Sequence, residues 1–323
     1  MFSGLFLQVL NYADVIDRNL RSDITESPLW SRTGHTTDWG IEQLFQDGIS
    51  SGCVNKYLEL FRLQNGAIGV IGILASSFIA AGRDVTDHWL NIVIAVAIIV
   101  IFMGGGNALN DYIDRDIDVT SHPERPVPSG RMKAEHALYA GCAMLLVSVL
   151  MSIVFWDALS IAIVIIACVL MFAYELALKQ RGLAGNVTIA VQTGMIFLLG
   201  GAIVDNISGV YVLAGMAMLV NIGREITKDI EDMEGDIGRS TLPMKIGKKN
   251  AGIVAAIFFI AGPVLSIWPI IDGMFSSLYL TVIIPDAMFI YASYILFDNP
   301  HRAQKVAKFA MLVALGAFIL GVI

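Results

Sequence analysis

The chain has 323 residues, of which 56% are hydrophobic and only 15% are charged, and its mean hydropathy is +0.70. Soluble globular proteins carry about 25% charged residues, so the composition excludes a soluble enzyme, a nucleic-acid-binding protein and a disordered chain. Cys53, Cys142 and Cys168 are an odd set with two members in apolar segments, and no disulfide framework or zinc site is predicted. We predict a polytopic membrane protein.

Residues 1–55 are polar and acidic, and we predict a cytoplasmic N-terminal extension there, followed by a membrane domain at 56–323. A helix needs about 20 apolar residues to cross a bilayer. Backbone groups of open strands cannot be satisfied in lipid, so the predicted fold is an all-α integral membrane protein with nine transmembrane helices. The nine apolar segments are 66–82, 89–109, 136–156, 158–178, 186–204, 207–223, 251–271, 277–297 and 305–323.

The basic residues predict the orientation of these spans. With nine spans, 20 of the 21 Lys and Arg residues fall on one side of the membrane, and only Arg83 falls on the other. Cytoplasmic loops are the ones enriched in Lys and Arg. We therefore expect the N-terminus and the two long loops, 110–135 and 224–250, to be cytoplasmic and the C-terminus to be outside.

Each of these long loops opens with an acidic motif of the same spacing, Asp-x-x-Asp-x-x-x-Asp. The motifs lie 118 residues apart, each directly after a predicted span, and Asn107 and Glu225 occupy the same offset before them. This is weak internal symmetry, as membrane proteins built from repeats show. The six aspartates are Asp111, Asp114 and Asp118 in the first motif and Asp229, Asp232 and Asp236 in the second.

The spacing indicates a metal site. On a helix, positions i, i+3 and i+7 fall within an arc of about 60°, and three carboxylates on one stripe repel one another unless a cation lies among them. Mg²⁺ binds through a few carboxylates while substrate phosphates complete its coordination. We predict that the six aspartates hold Mg²⁺ around one diphosphate. The alternative is a solvated acidic loop, which identical spacing at two corresponding span ends makes a poor explanation.

Polar and basic residues lie where a diphosphate would need them. Each basic residue could instead be an anchor of the kind that the positive-inside rule describes. This is the preferred interpretation for Arg131, Lys133, Lys248 and Lys249. The predicted substrate-binding residues are Arg62, Asn65, Asn107, Asn110, Arg125, Tyr174, Lys179, Arg181, Arg224 and Lys228.

The motifs Asn110-Asp111-x-x-Asp114-x-x-x-Asp118 and Asp229-x-x-Asp232-x-x-x-Asp236 resemble the two signatures of the UbiA superfamily of intramembrane prenyltransferases, over about residues 57–323. The resemblance implies a helical bundle around a polar-capped cavity that opens sideways to lipid. It also implies Mg²⁺ as cofactor, and a prenyl diphosphate and a lipophilic acceptor as substrates in the membrane. No nucleic acid or protein partner is expected.

Within the superfamily, residues 110–118, 125–130 and 223–236 are most similar to the branch that makes archaeal ether lipids. That similarity implies transfer of a geranylgeranyl group to the hydroxyl of geranylgeranylglyceryl phosphate. An aromatic, quinone or tetrapyrrole acceptor for the same chemistry is the first alternative. An ion- or phosphate-coupled transporter is a distant alternative. A transporter needs ionisable residues at the middle of several spans, and Asp286 alone, the clear case here, does not make a pathway.

Overall fold

The computed structural model describes residues 51–233 and 240–323, with side chains for all of these except 51–55, 64 and 65. The described residues form helices and no strands, which confirms the all-α prediction. Residues 1–50 lie outside this range, so the predicted extension stays a prediction. The α-helices, α1 to α12 in chain order, are Ser51–Phe61, Leu63–Ala81, Trp89–Ile113, Arg115–Ser121, Ala134–Phe155, Ala158–Ala173, Leu183–Ala202, Tyr211–Asp232, Leu242–Ile246, Lys248–Ile271, Ile283–Ile295 and Pro300–Val322.

Seven stretches of the described residues are long and apolar enough to cross a membrane. The first, Gly66–Ile113, contains 48 residues and includes both α2 and α3. Helix α8 is not among the seven, because its last turns carry charged side chains. The prediction of a membrane protein with several spans agrees with these stretches, whereas the finer prediction of nine transmembrane helices stays a prediction.

Small residues allow the helices to approach closely, as is common in membrane proteins. A β-carbon at Gly200 of α7 would lie 1.8 Å from Oγ of Ser76 on α2. Similarly, a β-carbon at Gly141 of α5 would lie 3.0 Å from the carbonyl oxygen of Gly105 on α3. Residues larger than glycine would push these two helix pairs apart.

The connections gather at the two ends of the helices. At one end, Asn206 donates to the carbonyl of Ala80 at 2.7 Å, so the α2–α3 and α7–α8 turns are neighbours. The backbone N–H of Ser276 donates to the carbonyl of Gly321 at 2.8 Å, which places the α10–α11 turn beside the end of α12. The opposite ends of the helices carry the first aspartate motif and the described part of the second, Asp229 and Asp232.

Candidate active site

The first aspartate motif lies where α3 ends and α4 begins. Asp111 is in the last turn of α3, Asp114 is the residue between the helices, and Asp118 is in α4. The backbone at Asp114 has φ −84° and ψ 3°, so the expected single helical stripe is interrupted there. Asp116 lies between these residues in the sequence but off their stripe, and its side chain points outward with 87% of its surface exposed.

Each carboxylate of this motif is paired with a cation from a different part of the chain. Arg62 donates to Asp111, Lys179 donates to Asp114, and Nη1 of Arg125 lies 2.5 Å from Oδ2 of Asp118.

These pairs explain how the carboxylates are tolerated. The side chains of Asp111 and Asp118 are only 1% and 5% exposed, and a buried charge is stable only when it is paired and hydrogen-bonded. Nη1 of Arg125 also lies 3.7 Å from Asp111. Three of the predicted basic residues therefore converge on the first motif, and they bind its aspartates in this structure.

Arg62 is aimed at the motif by the junction between α1 and α2. Its backbone is left-handed, with φ 45° and ψ 60°, a conformation that costs free energy for a residue other than glycine. The side-chain amide of Asn107 donates to the carbonyl of Phe61 at 2.8 Å, which ties the end of α1 to α3. Asn107, predicted to bind substrate, thus also fixes the junction from which Arg62 reaches Asp111.

Glu175 is a buried member of this cluster that the sequence analysis did not identify. Glu175 is only 7% exposed. Its carboxylate accepts hydrogen bonds from Nδ2 of Asn110 at 3.2 and 3.3 Å, and Nζ of Lys179 lies 3.3 Å from its Oε2. It occupies the π-helical turn Tyr174–Leu178, which continues α6, and such turns are frequent at functional sites. The available signal was an ionisable residue inside a predicted span.

The second motif has different neighbours. Asp229 lies in α8 and its Oδ2 accepts from Nδ2 of Asn186 on α7 at 2.8 Å. Asp232 is the last residue of α8 and is exposed. Asp236 lies outside the described residues. Asn186 was also missed, although a polar residue at the start of a predicted span was the signal that could have identified it.

The remaining predicted binding residues are spread over the same end of the helices. Nε of Arg224 donates to Oδ1 of Asn221 at 2.9 Å, and its guanidinium also pairs with Glu225. Arg181 and Lys228 are exposed. The side chain of Asn65 lies outside the described residues.

A cavity of about 260 Å³ opens beside the first motif. Its lining changes from polar to apolar, and four of the predicted substrate-binding residues contribute to it. An amphipathic cavity of this kind suits a ligand with a charged head and an apolar chain. The polar lining residues are Arg62, Asn107, Asn110, Tyr174 and Glu175, and the apolar ones are Met103, Gly106, Met171 and Ile189.

The carboxylates of the first motif have the chemistry that Mg²⁺ requires, since hard oxygen atoms are its preferred ligands. Oδ2 of Asp111 is buried and has no hydrogen-bond partner among the described residues, which leaves one oxygen available to a further ligand. No three acidic, histidine or cysteine side chains within residues 51–233 and 240–323 converge closely enough to hold a metal ion. The residues therefore fit Mg²⁺ by type, and their role as ligands stays a prediction.

Comparison with known proteins identifies relatives over most of the chain. Residues 69–319 match the UbiA prenyltransferase family. The chain is 35% identical to the digeranylgeranylglyceryl phosphate synthase of Methanosphaera stadtmanae over 279 residues, which cover 83% of this chain and 99% of the relative. It is 37% identical to the synthase of the same name from Thermococcus kodakarensis over 276 residues, which cover 82% and 96%.

Solved structures show the same fold. A structure of digeranylgeranylglyceryl phosphate synthase superposes with a TM-score of 0.75 and 31% identity, over 83% of this chain and 98% of that one. A UbiA homolog from Archaeoglobus fulgidus bound to DMAPP and Mg²⁺ superposes with a TM-score of 0.61 and 14% identity, over 81% and 99% of the two chains.

Proposed function

The chain belongs to the UbiA prenyltransferase family, and we propose that it transfers a geranylgeranyl group from its diphosphate to the free hydroxyl of geranylgeranylglyceryl phosphate in archaeal membrane ether-lipid synthesis. The observation that carries this proposal is the amphipathic cavity beside the first aspartate motif. The relatives named digeranylgeranylglyceryl phosphate synthase support this particular acceptor, because they align with this chain over almost their whole length.

The donor diphosphate lies at the polar end of the cavity in this proposal. The carboxylates of both motifs would hold Mg²⁺, which would neutralise charge on the leaving diphosphate. The chain's own cations Arg125 and Lys179 lie within reach of the same place, because each already contacts a carboxylate of the first motif. When the diphosphate binds, these cations exchange carboxylate oxygens for phosphate oxygens, which are equally good partners for charge-assisted hydrogen bonds.

The reaction forms an ether. The allylic C–O bond breaks and the diphosphate leaves with the electron pair, and Arg125 and Lys179 stabilise its negative charge. The hydroxyl oxygen of the acceptor forms the new bond to the allylic carbon and releases its proton. Met103, Met171 and Ile189 on the apolar wall keep water away from the reactive carbon, since water would otherwise capture it.

The acceptor brings a phosphate of its own to the membrane surface. Arg62 is the cation that we assign to it, because Arg62 lines the cavity and comes from the start of α2, outside both motifs. The exposed Arg181 on the α6–α7 connection is a second candidate at the same end of the helices. A guanidinium presents two N–H groups to two phosphate oxygens at once.

The proposal also includes an orientation, with the N-terminus and both motif loops in the cytoplasm and the C-terminus outside. The distribution of Lys and Arg supports it. Single cysteines placed at Arg83, Asp157, Asp205 and Asp272 should react with an impermeant maleimide added from outside, whereas cysteines near Asp118 should not. Labelling of both groups from the same side would contradict the orientation.

The function is tested with membranes that contain the protein and labelled geranylgeranyl diphosphate. We expect a labelled ether lipid with geranylgeranylglyceryl phosphate as acceptor, dependence on added Mg²⁺, and loss of product with a chelator. An aromatic acceptor without a phosphate serves as the comparison. Faster labelling of that aromatic compound would contradict the ether-lipid proposal and favour a quinone precursor as acceptor.

A further inference from the structure

The cavity beside the first motif has an internal direction that follows α3. Asn110 and Asn107 lie at its polar end, and Gly106 and Met103 come next along the helix. The rise of an α-helix is about 1.5 Å per residue, so Gly106 lies roughly 6 Å along the axis from Asn110. If the donor's diphosphate lies at the motif and its prenyl chain follows α3, the first isoprene unit ends near Gly106. A longer chain then has to continue past Gly106.

Met171 of α6 lies in contact with Gly106 on this path. A β-carbon at Gly106 would lie 2.7 Å from Cε and 3.1 Å from Sδ of Met171. Only the absence of a side chain at position 106 leaves room for the thioether where it is. Methionine is unbranched and changes its shape easily, so Met171 can move aside where a branched residue could not.

The volume of the cavity indicates that Met171 must move when a long prenyl chain binds. Sites for drug-sized ligands have volumes of about 300–1,000 Å³, and this cavity has about 260 Å³. A twenty-carbon prenyl chain therefore needs space beyond the cavity as it stands. The Met171 side chain lines the cavity and packs against Gly106, so its movement would enlarge the space beside the path of the chain.

We propose that Gly106 and Met171 together determine which prenyl chain lengths the donor site accepts, with Met171 as the movable end of the cavity and Gly106 as the position that gives it room. The inference rests on the proposed prenyl transfer and adds the residues that select the donor. A methyl group at position 106 would force the thioether into the cavity and shorten the path of the chain.

The test compares kcat/KM for geranyl and geranylgeranyl diphosphates in three variants. Gly106→Ala should lower the value for the C20 donor about ten-fold relative to the C10 donor, since one methyl group in an apolar pocket changes discrimination by roughly this amount. Met171→Ala should shift the same ratio toward the C20 donor. Gly104→Ala should leave the ratio unchanged.

Gly104 is the matched control because it meets the same kind of atom outside the cavity. A β-carbon at Gly104 would lie 2.6 Å from Cε of Met144, which belongs to α5. Gly104→Ala therefore imposes a similar packing strain on the same helix, at a position only two residues from Gly106. A loss that reflects strain alone would appear equally in both glycine variants.

Three results would overturn the inference: equal losses for both donors in Gly106→Ala, the same change of ratio in Gly104→Ala, or no shift of the ratio toward the C20 donor in Met171→Ala. The proposed function is judged separately on the unmodified protein. Absence of prenyl transfer there rejects the function, whereas normal transfer with an unchanged donor ratio in Gly106→Ala rejects only the selection by Gly106 and Met171.

Discussion

The two aspartate motifs have the same spacing in the sequence but different surroundings in the structure. The first is buried, and three cations from separate parts of the chain pair with its carboxylates. In the second, a neutral amide from Asn186 binds Asp229, and Asp232 is exposed at the end of α8. Equal spacing along the chain therefore did not produce equal sites.

The difference follows from burial. A buried carboxylate needs a compensating charge, and Arg62, Arg125 and Lys179 supply it for the first motif before any ligand binds. An amide orients a carboxylate and brings no charge of its own, so Asn186 holds the carboxylate of Asp229 in a fixed direction. We infer that substrate binding at the first motif requires an exchange of ionic partners, whereas at the second motif Asn186 orients the carboxylate of Asp229.

The most severe test of this comparison is removal of the negative charge at the buried motif. Asp111→Asn should lower turnover by about 10²- to 10³-fold, the cost of losing one group that stabilises charge in a transition state. The variant also leaves Arg62 without its partner. Turnover of labelled geranylgeranyl diphosphate measures the effect.

Asp116→Asn is the control in the same motif, because its side chain is 87% exposed and we expect turnover within about two-fold, as for most surface substitutions. If Asp111→Asn keeps near-normal turnover, the buried motif is not part of the active site and the comparison loses its basis.

The second test concerns the amide that orients the other motif. Asn186→Ala should lower turnover about ten-fold, in the range found when residues that support metal ligands are replaced. Asp229→Ala should have a larger effect, because it removes the carboxylate itself. The apparent Mg²⁺ concentration for half-maximal activity should rise in Asn186→Ala.

Asn91→Ala is the matched control, since Asn91 donates a comparable hydrogen bond to the carbonyl of Ile203 at 3.0 Å, at the far end of the helices. An equal rise in the Mg²⁺ requirement of both variants would indicate a general packing defect and contradict the orienting role of Asn186.

The third test separates the two arginines that lie nearest to Asp111. Arg62→Lys should raise KM for geranylgeranylglyceryl phosphate about ten-fold and change KM for the donor little, because loss of one charge-assisted hydrogen bond costs about 1.5–3 kcal/mol. Arg125→Lys should do the reverse. Steady-state kinetics with each substrate varied in turn measure both constants, and an unchanged acceptor KM in Arg62→Lys would reject its assignment to the acceptor phosphate.

The sequence predicted the participants of the first site better than their contacts. Arg62 and Lys179 are 49 and 65 residues from the aspartates that they bind, yet both were selected, because they lie at the ends of predicted spans. Their pairing with the aspartates was not foreseen. It depends on side-chain burial, which charge spacing does not reveal.

Glu175 and Asn186 were missed for a different reason. Membrane spans are identified from the average hydropathy over about 20 residues, and a single polar residue is hidden in that average. The interruption at Asp114 escaped prediction because ideal helical periodicity extends any spacing without a break. These three features are also the ones that decide how the site is held together.

The last test asks whether the helix cap at one end of α6 affects the stability of the protein without affecting catalysis. The π-helical turn that continues the other end of α6 carries Glu175, near the active site. At the other end, the carboxylate of Asp157 accepts from the backbone N–H of Ser160 at 2.9 Å and caps the helix. This hydrogen bond holds the pKa of Asp157 below its usual range. Asp157→Ala should lower the free energy of unfolding at pH 7 by about 1 kcal/mol and leave turnover unchanged.

The pH dependence gives this prediction its sign. Because the folded protein has the lower pKa, the cap's contribution is complete above the usual Asp pKa of about 3.9 and is lost as the pH falls through the folded value. Unfolding in detergent should therefore distinguish Asp157→Ala from the unmodified protein at pH 7 and progressively less below about pH 4. Asp84→Ala, at an exposed position in the α2–α3 turn, should match the unmodified protein throughout. A large loss of turnover in Asp157→Ala would mean that the two ends of α6 are coupled, and that the active-site cluster depends on the whole helix.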